Sequence, residues 1–208
     1  SNFFRRRKIR YLWKTKKEPK HPLTEINIYV KNASEKKTAT QAVKTGEAIA
    51  NGIAICKDLG NMPANICTPF YLASEAKKLS SSDTKLTTTI VDETEMKKAG
   101  MHIFLAVSKG SQNPGKLIIL NYKGGKTNNK PIVIVGKGIT FDTGGIDLKP
   151  PSGMYDMKLD MLGGAAVFGV MKAISELNLP INVIGIIAAA ENMIGDKATR
   201  PTDIIKSM

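Results

Sequence analysis

Cysteine is scarce: Cys56 and Cys67 are the only two in 208 residues. Their surroundings offer neither a disulfide framework nor metal-ligand spacing, which excludes a disulfide-stapled fold and a cysteine-held zinc site. Cys56 falls in an apolar helical pattern and reads as a small core residue. Long apolar runs are missing too. None approaches the roughly 20 residues that cross a bilayer, and the basic N-terminus lacks the apolar centre of a secretory signal. The expected location is the cytoplasm, with no membrane partner.

Acidic residues are few, and the resulting charge of +13 is unevenly spread. Arg5, Arg6, Arg7, Lys8, Arg10, Lys14, Lys16, Lys17 and Lys20 against Glu18 place +8 of it in the first twenty residues. The remaining 188 residues carry only +5. Phe3, Phe4, Tyr11 and Trp13 are interleaved with those cations, a composition that can grip phosphates and stack on bases. A basic nucleic-acid-binding module is therefore the alternative reading; a solvated tail is the plainer one.

Hydrophobic periodicity organises the rest. The spacing predicts helices over Thr38–Leu59, from Thr68-Pro69 through Leu79, over Glu93–Ala99 and over Gly163–Leu177. Gly60 and Pro63 suit the end of the first helix, and Thr68-Pro69 suits the start of the second. Strands are expected at Ile26–Val30, Lys85–Val91, Ile103–Val107, Leu117–Tyr122, Pro131–Val135 and Ile181–Ala190. Strands alternating with helices indicate an α/β layer fold, a sheet with helices on both faces.

The most distinctive stretch runs from Val135 to Gly145, where an apolar strand turns glycine-rich and polar. It places Lys137 and Asp142 just past the expected carboxyl end of that strand, where open α/β sheets bind ligands. Lys149 and Asp160 follow. Each has an ordinary reading: Asp142 as a turn aspartate, Asp160 as a helix N-terminal charge, the lysines as surface residues. Together they also suit a hard divalent cation, beside which a lysine can lose its proton and serve as a ligand. The residues alone leave both readings open. A phosphate loop fits poorly, since the spaced upstream glycine and the following Ser/Thr are absent.

At this point the sequence resembles a known family. VGKGITFDTGGIDLKP and MKLDMLGGAAV, flanked by KDLGNMPANICTP and INVIGIIAAAENMIGDKATRPTDI, resemble the two-metal leucyl (cytosol) aminopeptidases. The resemblance covers roughly residues 14–208. It implies Lys137 as a lysine metal ligand, Asp142 as a carboxylate contacting both ions, and Asp160 as a ligand of the more tightly bound one. It implies Lys149 as the catalytic group that holds the substrate carbonyl oxygen. Met157 matches a residue lining the pocket for the N-terminal side chain, with a core methionine as its plain alternative.

The implied cofactors are two divalent ions, Mn2+ or Zn2+, with bicarbonate in the full-length enzyme; the implied partners are peptide substrates and a homohexamer. Some members of the family bind DNA. The implied organisation is a domain tail and linker over residues 1–35 and the N-terminal half of the catalytic domain over 36–208. An Asn-Thr-Asp-Ala-Glu-Gly-Arg motif, carrying two more carboxylate ligands and an arginine, is expected beyond Met208. These 208 residues are therefore expected to be inactive alone.

Overall fold

The computed structural model describes residues 25–81 and 83–208, so the basic segment of residues 1–20 lies outside the described residues. Helix α1 (Ala33–Asn61) leads into α2 (Pro69–Ser81), β1 (Leu86–Asp92), α3 (Glu93–Lys98), α4 (His102–Ser108), β2 (Lys116–Lys123) and β3 (Ile132–Asp142). The short α5 (Pro151–Met154) and a 3-10 turn (Tyr155–Leu159) precede α6 (Leu162–Leu177) and β4 (Asn182–Asn192). The strands form one sheet in the order β1-β2-β4-β3. The pairs β1–β2 and β2–β4 are antiparallel, while β3 and β4 are parallel and are joined through α6.

Most helix boundaries follow local chemistry. Asn32 caps α1, its side chain accepting from the Glu35 N–H at 2.9 Å. Thr68 performs the same service for α2, accepting from the Tyr71 N–H at 3.3 Å. Gly100, at φ +77°, follows the end of α3 in the left-handed conformation that glycine adopts without strain. Asn178, at φ 52°, ends α6 before Pro180.

The α/β class expected from the sequence is what the chain adopts. Its three long helices contribute to one buried cluster with the sheet. Leu59 of α1, Leu72, Ala73 and Ala76 of α2, and Val167, Phe168 and Met171 of α6 join one buried cluster. The sheet contributes Ile118, Leu120 and Tyr122 from β2, and Val183, Ile187 and Ala189 from β4. Side chains along a strand alternate between faces, and the register pairs Ile118 with Ile187 and Tyr122 with Val183. All these sheet residues therefore point to the same side. Helices α1 and α6 approach so closely that a Cβ on Gly52 would lie 2.4 Å from the Gly169 carbonyl oxygen.

Four local expectations are corrected. Residues 26–30 pair with no strand, and Ile28 and Tyr29 are exposed. The run Ile103–Val107 is helical, within α4; a short apolar run has no period that separates a strand from a helical turn. Gly60 lies inside α1, which ends at the Met62 cap just before Pro63. Its value is spatial: a Cβ there would sit 2.5 Å from the Leu162 side chain. Finally, β3 does not stop at Val135 but runs on through the glycine-rich stretch to Asp142, because the ladder with β4 continues.

Of the two cysteines, Cys67 is the buried one, and Cys56 packs against the cluster while half-buried. Burial, with a smaller contribution from Glu75, pushes the Cys67 thiol up to about 12. That is the chemistry of an inert core residue.

Candidate metal and catalytic site

The face of β3 opposite the helices carries Val133, Val135 and Lys137, all exposed. At strict period two, Asp142 would point to the other side from Lys137. An irregularity prevents this. Ile139 pairs with Ala190 but Asp142 pairs with Asn192, so β3 advances by three residues while β4 advances by two. The extra residue is a β-bulge, which restores Asp142 to the side of Lys137. Both stand toward the carboxyl end of a parallel strand pair.

Glycine makes this placement possible. Gly136 and Gly138 face α6, and a Cβ on Gly136 would lie 2.4 Å from the Gly163 carbonyl oxygen. The backbone of β3 can thus lie against the first turn of α6, close to the turn that carries Asp160. Beyond the strand, Gly144 and Gly145 adopt φ +91° and +73°, turning the chain so that Lys149 comes back toward Asp142.

The four charged residues singled out from the sequence come together as two ion pairs. Lys149 Nζ donates to Asp142 Oδ2 at 2.7 Å. Lys137 Nζ lies 2.7 Å from Asp160 Oδ1. The Asp142 side chain is only 16% exposed, whereas that of Lys137 is 61% exposed, so the carboxylate is fixed and the ammonium is reachable. Asp142 Oδ1 accepts from the Gly144 N–H at 2.9 Å and from the Asn192 amide at 2.8 Å. Partial burial alone would raise the Asp142 carboxyl. The Lys149 hydrogen bond, then those from Gly144 and Asn192, outweigh it and hold the group below the usual carboxylate range.

Asp160 is less complete. Its Oδ2 is buried and has no hydrogen-bond partner. Leaving a buried acceptor unpaired costs about 1–3 kcal/mol, and more for a charged group. Among the described residues no three His, Cys, Asp or Glu side chains converge. The available donor set is two carboxylates and an amine. It fits a divalent cation: one carboxylate oxygen is unpartnered, and each carboxylate faces a positive charge that a metal ion could replace.

Met157 sits in the 3-10 turn, half-buried and outside the core cluster, in which the buried methionines are Met161 and Met171. Two polar residues at the end of β4 had not been singled out in the sequence. Asn192 reaches Asp142, and the buried Glu191 accepts from the Ser111 hydroxyl and, at 2.9 Å, from the Asn113 amide. The single signal available was their position at the polar end of an apolar run.

Residues 54–208 match the family described as the cytosol aminopeptidase family, catalytic domain. Among curated relatives, probable cytosol aminopeptidases of Alkalilimnicola ehrlichii and Vibrio vulnificus are 48% and 50% identical over 91% and 93% of this chain. The chain spans 38% and 39% of those relatives' lengths. Among solved structures, the bottromycin maturation enzyme BotP in complex with Mn aligns with TM-score 0.72 at 30% identity, covering 85% of this chain and 37% of that one. The cytosol aminopeptidase of Coxiella burnetii aligns with TM-score 0.69 at 30% identity, covering 84% of this chain and 36% of that one.

Proposed function

The chain belongs to the cytosol aminopeptidase family, and from that membership we propose that it carries part of a metal-dependent peptidase site that releases N-terminal, leucine-like residues from peptides. In this reading residues 36–208 are the N-terminal half of a catalytic domain, residues 1–35 a preceding tail and linker, and the working location the cytoplasm. No helix among the described residues is long and apolar enough to cross a membrane.

The observation that carries the proposal is the buried, unpartnered Asp160 Oδ2, in a carboxylate whose other oxygen is held by Lys137. Lys137, Asp142 and Asp160 would hold the metal. Two divalent ions, Mn2+ or Zn2+, would supply an acidified water and a charge clamp for the substrate's carbonyl and free amine. Lys149 has a different task. Its ammonium, released from Asp142, would donate to the substrate carbonyl oxygen as negative charge develops there. Met157, half-buried at the turn before α6, would line the pocket for the N-terminal side chain. Bicarbonate and assembly as a homohexamer belong to the same proposal for a full-length enzyme.

These 208 residues alone would be inactive, because two carboxylates and an amine do not complete a two-metal centre. Two assays test the reading. The chain with added Mn2+ or Zn2+ should not hydrolyse a leucine chromogenic amide; robust turnover would refute the inactivity. Residues 36–208 exchanged into the matching segment of the Vibrio vulnificus relative should preserve metal-dependent hydrolysis. Lys149→Ala in that hybrid should lower kcat by about 10²–10³. An inactive but folded hybrid would contradict the assignment.

A further inference from the structure

We propose that Asn192 is a positioning residue for Asp142: its amide fixes which carboxylate oxygen faces the site. This rests on the metal-site reading above and adds a residue from a different strand. Asn192 is the last residue of β4 and pairs with Asp142 across the β-bulge. Its Nδ2 donates to Asp142 Oδ1 at 2.8 Å. A carboxylate can only accept, so the amide nitrogen must be the end that points to Asp142. The Gly144 N–H occupies the same oxygen at 2.9 Å. With two protein donors on Oδ1, the oxygen left to face a mobile partner is Oδ2, which holds Lys149 at 2.7 Å.

Asn192 is itself held. Its carbonyl accepts from both the N–H and the hydroxyl of Thr143, each at 2.9 Å. On the other side Gly145 leaves it room, since a Cβ there would lie 3.0 Å from Asn192 Oδ1. The residue following Asp142 is thus anchored to the Asn192 backbone while Asp142 is anchored to the Asn192 side chain. A bulge frees a side chain to re-aim, and here one asparagine fixes that aim at both points. Such partners of metal-ligating groups typically matter by 10–100-fold in affinity.

The test has a metal-free arm and a metal arm. In the 15N-labelled 208-residue chain without metal, one Asn192 side-chain amide proton should exchange at least about tenfold more slowly than those of exposed asparagines such as Asn128. Asp142→Ala should abolish that protection and leave the Thr143 N–H protected; a freely exchanging Asn192 amide in the unaltered chain overturns the proposal. In the metal arm, Mn2+ uptake is followed by its EPR signal. Asn192→Leu, similar in shape but without a donor, should bind Mn2+ about tenfold more weakly, and Asn192→His, which offers an N–H near the same place, should recover most of that loss.

Equal Mn2+ affinity in the unaltered chain and Asn192→Leu overturns the proposal. So does an equal loss in the His and Leu variants, which marks a merely structural role. Should Asn192→Leu fail to fold, Asn192→Ala replaces it with the same expectation. Absence of Mn2+ uptake by the unaltered chain sinks the metal reading. The amide protection and its response to Asp142→Ala then decide the positioning role alone.

Discussion

The two faces of one sheet do opposite work in this molecule. On the helix side, alternate residues of β2 and β4 meet α1, α2 and α6 in a sealed apolar cluster, and glycines set how closely the backbones approach. On the other side, alternate residues of β3 lie open, with Val135 70% exposed, and the strand ends in Asp142, paired with Lys149 and Asn192. One sheet supplies both. Stability is therefore concentrated on one side and ionic chemistry on the other, so equal-sized substitutions should have unequal consequences.

The largest contrast should come from Phe168, which is buried at 1% exposure in the cluster. Phe168→Ala should lower unfolding free energy by about 3–5 kcal/mol in a urea titration. Next is the helix crossing. Gly52→Ala raises helix propensity by about 1 kcal/mol, yet its methyl would meet the Gly169 carbonyl, so a net destabilisation of about 1–3 kcal/mol is expected from the same titration. A stabilised Gly52→Ala would show that the close crossing does not limit this face. On the open face, Val135→Thr should change stability by less than about 0.5 kcal/mol; a larger loss would mean the face is covered.

The smallest expected effect separates the faces by pH. Asp83, at the helix side, is held below the usual carboxylate range chiefly by the Ser175 hydroxyl; burial opposes it, and the Lys85 N–H with the charges of Lys85 and Lys172 adds to the lowering. Asp142, on the open side, is lowered as well. Because the folded values lie below the unfolded value near 3.9, their stabilisation is complete above about pH 4–5 and is lost as pH falls through the folded values. The melting temperature should be flat from neutral pH down to that range and then fall. Asp83→Asn should reduce the acid slope; an unchanged slope would remove Asp83 from the account.

Much of the site was legible because its residue types are clustered in sequence. Lys137, Asp142, Lys149 and Asp160 fall within two dozen residues and inside long motifs. Helix α1 was legible from its period, and α2 from Thr68-Pro69. What escaped depended on neighbours distant in sequence. The bulge that turns Asp142 to the side of Lys137 exists only relative to β4. Asn192, fifty residues from Asp142, carries no pattern of its own. Gly60 has the residue type of a helix stop, but its role depends on Leu162, which lies beside it. The short run at Ile103 had no period long enough to reveal α4. Periodicity reports which face is apolar; it does not report which polar residues meet.

Mn2+ titration of the unaltered chain and of Asp142→Asn and Asp160→Asn, read by the EPR signal of free ion, bears most directly on the claim that these carboxylates hold a divalent cation. Saturable uptake by the unaltered chain, weakened at least about tenfold in each variant while both remain folded, is the predicted result. Equal Mn2+ affinity in all three proteins, or no uptake by any, would contradict it.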